Sequence, residues 1–140
     1  MGFSSVLNGD LVYLSCSAVP QIISPPEDIT NNTGSSVAFS CEVKGWPLPT
    51  VEWRLLAITE SGNEEKWTTL TPDGERIWVH TLSDGPSNYE TTSWLQMIGL
   101  KREHSGLYAC VASNSEGEAR ATAYLTIGNF KRDFPDPERK

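Results

Sequence analysis

Apolar and polar residues alternate at every second position through the central part of this 140-residue chain. Val37, Phe39, Cys41 and Val43 fall on one side of an extended run, and Val51, Trp53 and Leu55 do the same on the next. That two-residue period belongs to strands with one buried face. Leu95 and Met97, then Tyr108 and Cys110, then Ala121, Ala123 and Leu125 continue the inward-facing set. Turn residues separate the runs at short intervals, and no stretch keeps a helical period. The spacing therefore predicts an all-β chain with strands at 21–24, 36–43, 50–55, 66–70, 76–81, 90–98, 106–113 and 118–127. Two antiparallel sheets closing over the inward residues are expected. Asn114-Ser115-Glu116-Gly117 lies between the last two runs and has the residues of a tight hairpin.

The length allows one core, because domains cluster at roughly 100–150 residues. Residues 21–128 are expected to form it, with 1–20 an upstream remnant or linker and 129–140, where Pro135 and Pro137 stand among charges, a flexible tail. A formal net charge of −7 disfavours nucleic acid and anionic lipid as partners. No run approaches the roughly 20 apolar residues of a membrane span. The opening 14 residues lack a basic start and are interrupted by Asn8, Gly9 and Asp10, so they do not read as a signal peptide.

Catalysis needs a nucleophile, a base and an orienting group together. His80 and His104 are the two near-neutral bases here, and neither sits in a catalytic motif. No phosphate-binding glycine loop and no zinc-ligand spacing occurs, so neither an enzyme nor a cofactor or metal is expected.

Cys41, Trp53 and Cys110 form the informative triple, with Tyr108 two residues before the second cysteine. A disulfide joining two facing sheets, an indole packed on it, and a tyrosine whose hydroxyl bonds upstream backbone is the immunoglobulin arrangement. Gly45-Trp46-Pro47-Leu48-Pro49-Thr50-Val51-Glu52-Trp53 and Ser105-Gly106-Leu107-Tyr108-Ala109-Cys110-Val111-Ala112-Ser113-Asn114 resemble the I-set pattern of that fold. The resemblance implies a Cys41–Cys110 bridge formed in an oxidising, extracellular compartment. It departs at His104, where the family has an Asp paired with an Arg, here Arg76. A neutral, hydrogen-bonded His104 is expected.

A narrower resemblance rests on Cys16-Ser17-Ala18-Val19-Pro20-Gln21-Ile22-Ile23-Ser24-Pro25-Pro26-Glu27-Asp28-Ile29, on Asn31-Asn32-Thr33-Gly34, and on Asp84-Gly85-Pro86 with Tyr89-Glu90-Thr91-Thr92-Ser93-Trp94. These are similar to the junction and core of the insulin-like growth factor-binding-protein-related family, secreted proteins that join a Kazal module to an immunoglobulin module. The resemblance makes 1–20 the end of a Kazal-like module and Cys16 its last cysteine, left without upstream partners. It implies a secreted regulator of insulin-like growth factor signalling and cell growth. The alternative is a cell-adhesion or matrix module with no growth-factor binding of its own.

Two kinds of surface feature are expected. Asn31-Asn32-Thr33 is a glycosylation sequon in a polar stretch read as a loop, with Asn31 the acceptor. Of five tryptophans the core demands only Trp53, leaving Trp46, Trp67, Trp78 and Trp94. Strands use aromatic residues to cover sheet faces, but exposed tryptophans also serve as interface anchors. These four are the candidate surface for a protein ligand, with Trp67 and Trp78 foremost and Trp46 placed in a loop after the second strand. The charged segment 59–66 reads as an exposed loop.

Overall fold

The computed structural model of the chain describes residues 3–7, 10–14, 17–57, 66–83 and 89–129. Cys16, most of the charged 59–66 loop, the Asp84-Gly85-Pro86 motif and the tail beyond Asn129 lie outside the described residues. Strands β1 (Phe3–Leu7) and β2 (Asp10–Leu14) pair as a hairpin. The domain itself is built from β3 (Ala18–Ser24), β4 (Ile29–Asn32), β5 (Val37–Trp46), β6 (Thr50–Ala57), β7 (Trp67–Thr69), β8 (Ile77–Leu82), β9 (Glu90–Met97), β10 (Gly106–Asn114) and β11 (Gly117–Gly128).

One sheet runs β3-β5-β9-β8 and the other β4-β11-β10-β6-β7. All pairings are antiparallel except β4 with β11, which is parallel. The chain crosses from the first sheet to the second between β3 and β4, at Pro25-Pro26. Proline has no N–H for a ladder, so the pair ends β3 and frees the chain to change sheets. Asp28 then accepts the Tyr124 N–H at 2.8 Å and seats β4 against β11. The result is the two-sheet I-set sandwich that the sequence resemblance implies.

Alternation assigns the interior as expected. Val37, Phe39, Cys41, Val43 and Gly45 of β5 are buried, while Ala38, Ser40, Glu42 and Trp46 are exposed. Phe39 stacks against Tyr108 at 5.4 Å and Trp53 at 6.2 Å between ring centroids. Cys41 and Cys110 are bonded across the sheets.

Two expectations are corrected. Trp46 is not in a loop: β5 continues to it, because Trp46 pairs with Ala18 of a β3 that starts before residue 21. Asn31 is not in a loop either. It belongs to β4, a four-residue edge strand held by pairing to Ile127 rather than by any apolar pattern of its own. Residues 102–104 form a short 3-10 turn, closed by the His104 Nδ1 acceptor on the Lys101 N–H at 2.8 Å. His104 is thus hydrogen-bonded locally, and the ion pairs among the described residues, Arg54–Glu52 and Arg120–Glu118, do not include Arg76.

Candidate binding surface

The two sheets turn different outer faces to solvent. On the β4-β11-β10-β6-β7 sheet, Ala109 and Val111 point away from the core yet are buried, at 0% and 1% exposure. The Arg120 guanidinium carbon lies 5.6 Å from the centroid of the Trp67 ring. Arg120 is on β11 and Trp67 on β7, so their contact must pass over β10 and β6, the strands between them. Beside it Glu52 accepts from Arg54 Nε at 2.7 Å and from Thr69 Oγ1 at 3.3 Å, tying β6 to β7 on the same outer side. A cation over an indole contributes about 0.5–1 kcal/mol at an exposed site. Around Trp67 this face is occupied by the chain's own side chains, whereas Tyr124, farther along β11 on the same side, is 57% exposed.

On the outer face of the β3-β5-β9-β8 sheet, Trp78 and Trp94 are half-buried. The register sets Trp78 opposite Gln96, itself opposite Ala38, and His80 opposite Trp94, itself opposite Ser40. Trp78 and Trp94 are therefore diagonal neighbours, about 7–8 Å apart between Cα atoms. Trp78, His80, Gln96 and Ile98 line a shallow concavity of about 330 Å³. Ile98 is 39% exposed and Leu82, farther along β8, is 50% exposed. None of these residues is charged, in a chain where 21% of residues are. Indoles supply large rigid contact area at small entropic cost, and the amide, imidazole and hydroxyl among them supply hydrogen-bonding groups.

The four surface tryptophans are thus not one cluster. Trp78 and Trp94 share a patch. Trp46 lies on the same outer face but six residues along β5 from Ser40, about 20 Å away at strand rise. Trp67 is on the opposite sheet, engaged with Arg120. The sequence reading missed Gln96 and Ile98 as companions of Trp94, although the three lie at two-residue spacing, Trp94 and Gln96 within β9 and Ile98 just past its end. It also missed Arg120, for which no local signal exists.

Asn31 donates its side-chain N–H to the Ser36 carbonyl at 2.8 Å and accepts from the Asn32 N–H at 3.0 Å. Across the opposite end of the sandwich, Asn114 donates to the Ala18 and Pro47 carbonyls at 2.9 and 3.0 Å and accepts from Glu116 N–H at 2.8 Å. One amide therefore joins the β10–β11 hairpin to the entry strand and to the cis Trp46–Pro47 turn.

Comparison with known proteins agrees with this geometry. The family described as immunoglobulin domain matches residues 19–114. The chain is 40% identical over 116 residues to insulin-like growth factor-binding protein-related protein 1 of Cupiennius salei, covering 83% of this chain and 42% of that protein. It is 38% identical over 117 residues to insulin-like growth factor-binding protein-like 1 of Mus musculus, covering 84% and 43%. It is also 38% identical over 112 residues to Kazal-type serine protease inhibitor domain-containing protein 1 of the same species, covering 80% and 33%. The chain spans less than half the length of these relatives. Among solved structures, titin domain M7 superposes with a TM-score of 0.60 at 26% identity, over 80% of this chain and 96% of that one.

Proposed function

Because this chain belongs to the immunoglobulin-domain family, we propose that it is an extracellular, non-catalytic protein-binding module that regulates insulin-like growth factor signalling and cell growth. The observation that carries the reading is the asymmetry of the sandwich. One outer face holds Arg120 over Trp67, and the other holds the half-buried Trp78 and Trp94 beside a concavity with no Lys, Arg or carboxylate among its lining residues. Sandwiches of this kind host many partners, so the fold alone does not choose the ligand. The choice of an insulin-like growth factor type peptide rests on relatives whose names carry that binding.

The same reading assigns residues 21–128 as the binding domain, 1–20 as the end of an upstream Kazal-like module and 129–140 as a tail. It places the chain in a secreted, oxidising compartment, where the Cys41–Cys110 bond persists, and makes Asn31 a glycan acceptor. Trp78 and Trp94 anchor the ligand, Trp46 extends the same face, and Trp67 serves the opposite one.

A second reading is favoured by length. The chain matches under half of each named relative, so growth-factor binding in those proteins can reside in segments outside the match. The module then contacts matrix or cell-surface proteins. Challenging the immobilised, oxidised chain with insulin-like growth factor peptides and with matrix proteins separates the two. Saturable peptide binding supports the first reading, and binding confined to matrix proteins replaces it with the second.

A further inference from the structure

Strand β8 is the outermost strand of its sheet. Its six residues, Ile77-Trp78-Val79-His80-Thr81-Leu82, include no proline, no glycine and no lysine, arginine or carboxylate. Natural edge strands carry at least one of these devices or are covered, because an open edge templates pairing with another chain. Uncharged six-residue segments of high β-propensity are the sequences most able to do so.

The hydrogen bonds settle which backbone groups are open. Ile98 N–H donates to the Arg76 carbonyl at 3.0 Å. In an antiparallel ladder the bonded positions recur every second residue, so Trp78, His80 and Leu82 direct their N–H and C=O groups to β9. Ile77, Val79 and Thr81 direct theirs to the open edge. Ile77 is already satisfied: its carbonyl accepts from Asp73 N–H at 3.2 Å and its N–H donates to the Asp73 carboxylate at 2.9 Å. Asp73 therefore caps one end of the edge, and Val79 and Thr81 carry the open donors and acceptors.

We propose that this edge pairs with the β8 edge of a second copy of the chain, antiparallel about a two-fold axis that passes between the two His80 residues. That register sets each Val79 opposite the partner's Thr81, and the two exchange both backbone groups. A shift by one residue would set these open groups against residues whose N–H and C=O are already bonded to β9. Registers that use Ile77 are blocked by Asp73. The edge is self-complementary, as an isologous interface requires, and it brings no charge against its own copy. That matters for a chain of net charge −7, in which most other surfaces would oppose like charges. The joined sheets also set Trp78 of each copy opposite Leu82 of the other, on either side of the paired His80 side chains. The inference goes beyond the ligand-binding reading and does not depend on it.

Sedimentation velocity on the oxidised 140-residue chain, from low micromolar to submillimolar concentration, is the test. The parent is expected to shift from monomer to dimer across that range. Thr81→Pro removes an edge donor at a position whose N–H faces solvent, where an edge strand tolerates proline, and is expected to stay monomeric. His80→Glu sets two carboxylates directly opposite each other and is expected to stay monomeric as well, so a folding failure of one variant leaves the other. A parent that is monomeric throughout, including one that instead captures a foreign extended peptide, overturns the proposal. So does a dimer that persists in both variants.

Discussion

The indole N–H of Trp53 donates to the hydroxyl of Ser93 at 3.0 Å inside the core, joining β6 of one sheet to β9 of the other. In the strand registers Trp53 stands opposite Cys110 and Ser93 opposite Cys41. The hydrogen bond and the disulfide are therefore adjacent ties between the same two layers. Ser93 is fully buried, and its hydroxyl is what makes the indole donor tolerable there. Ser93→Ala is expected to lower stability by about 1–3 kcal/mol, because the donor is left buried without a partner. Adding Trp53→Phe should cost less than the sum of the single changes. Denaturant unfolding of the four species measures both.

Reduction of Cys41–Cys110 opens a loop with a sequence separation of 69. In the chain-entropy account this removes about 4 kcal/mol, a large share of a domain's 5–15 kcal/mol. Unfolding midpoints with and without reductant should show the loss.

Tyr108 is buried, which pushes its phenol well above the usual tyrosine range, and its hydroxyl donates to the His104 carbonyl at 2.6 Å. Tyr108→Phe keeps the packing against Phe39 and loses the bond. A stability decrease of about 1 kcal/mol is expected from thermal or denaturant unfolding.

The Asp73 carboxylate accepts from the N–H groups of Arg76, Ile77 and Glu75, which lower its pKa from the ordinary 3.8 to about 2. A folded-state pKa below the unfolded one gives stability that is present above the unfolded value and lost as pH falls through the folded value. Asp73→Ala should therefore melt below the parent at neutral pH, and the difference should shrink as pH falls from about 4 towards 2. A gap in melting temperature that is constant across that window contradicts the assignment.

Arg120→Ala is expected to cost about 0.5–1 kcal/mol and to make Trp67 more accessible to a fluorescence quencher. Stability and quenching should change together, since the same guanidinium both interacts with the Trp67 ring and lies over it.

The sandwich was legible because its evidence is local and redundant: alternation chose the inward faces, and Cys41, Trp53, Tyr108 and Cys110 fixed how the layers meet. β4 was not legible, since Ile-Thr-Asn-Asn has no strand period and extends only because β11 lies beside it. The candidate surface was half legible. A core that needs only Trp53 leaves Trp67 and Trp78 for the surface, but which sheet each strand joins is a property of topology. Two tryptophans eleven residues apart in the chain consequently end on opposite faces. The covering role of Arg120 depends on four strands lying in order, which no short window of sequence contains.

The most direct measurement of the account is the affinity of the oxidised chain for an insulin-like growth factor peptide, compared among the parent, Trp78→Ala/Trp94→Ala and Trp67→Ala, with folding verified for each. The account predicts saturable binding by the parent, near-parental binding by Trp67→Ala, and a loss of about thirtyfold or more in the double variant, the scale of removing interface hot spots. Absence of binding by the folded parent, or a loss that follows Trp67 instead of Trp78 and Trp94, would contradict it.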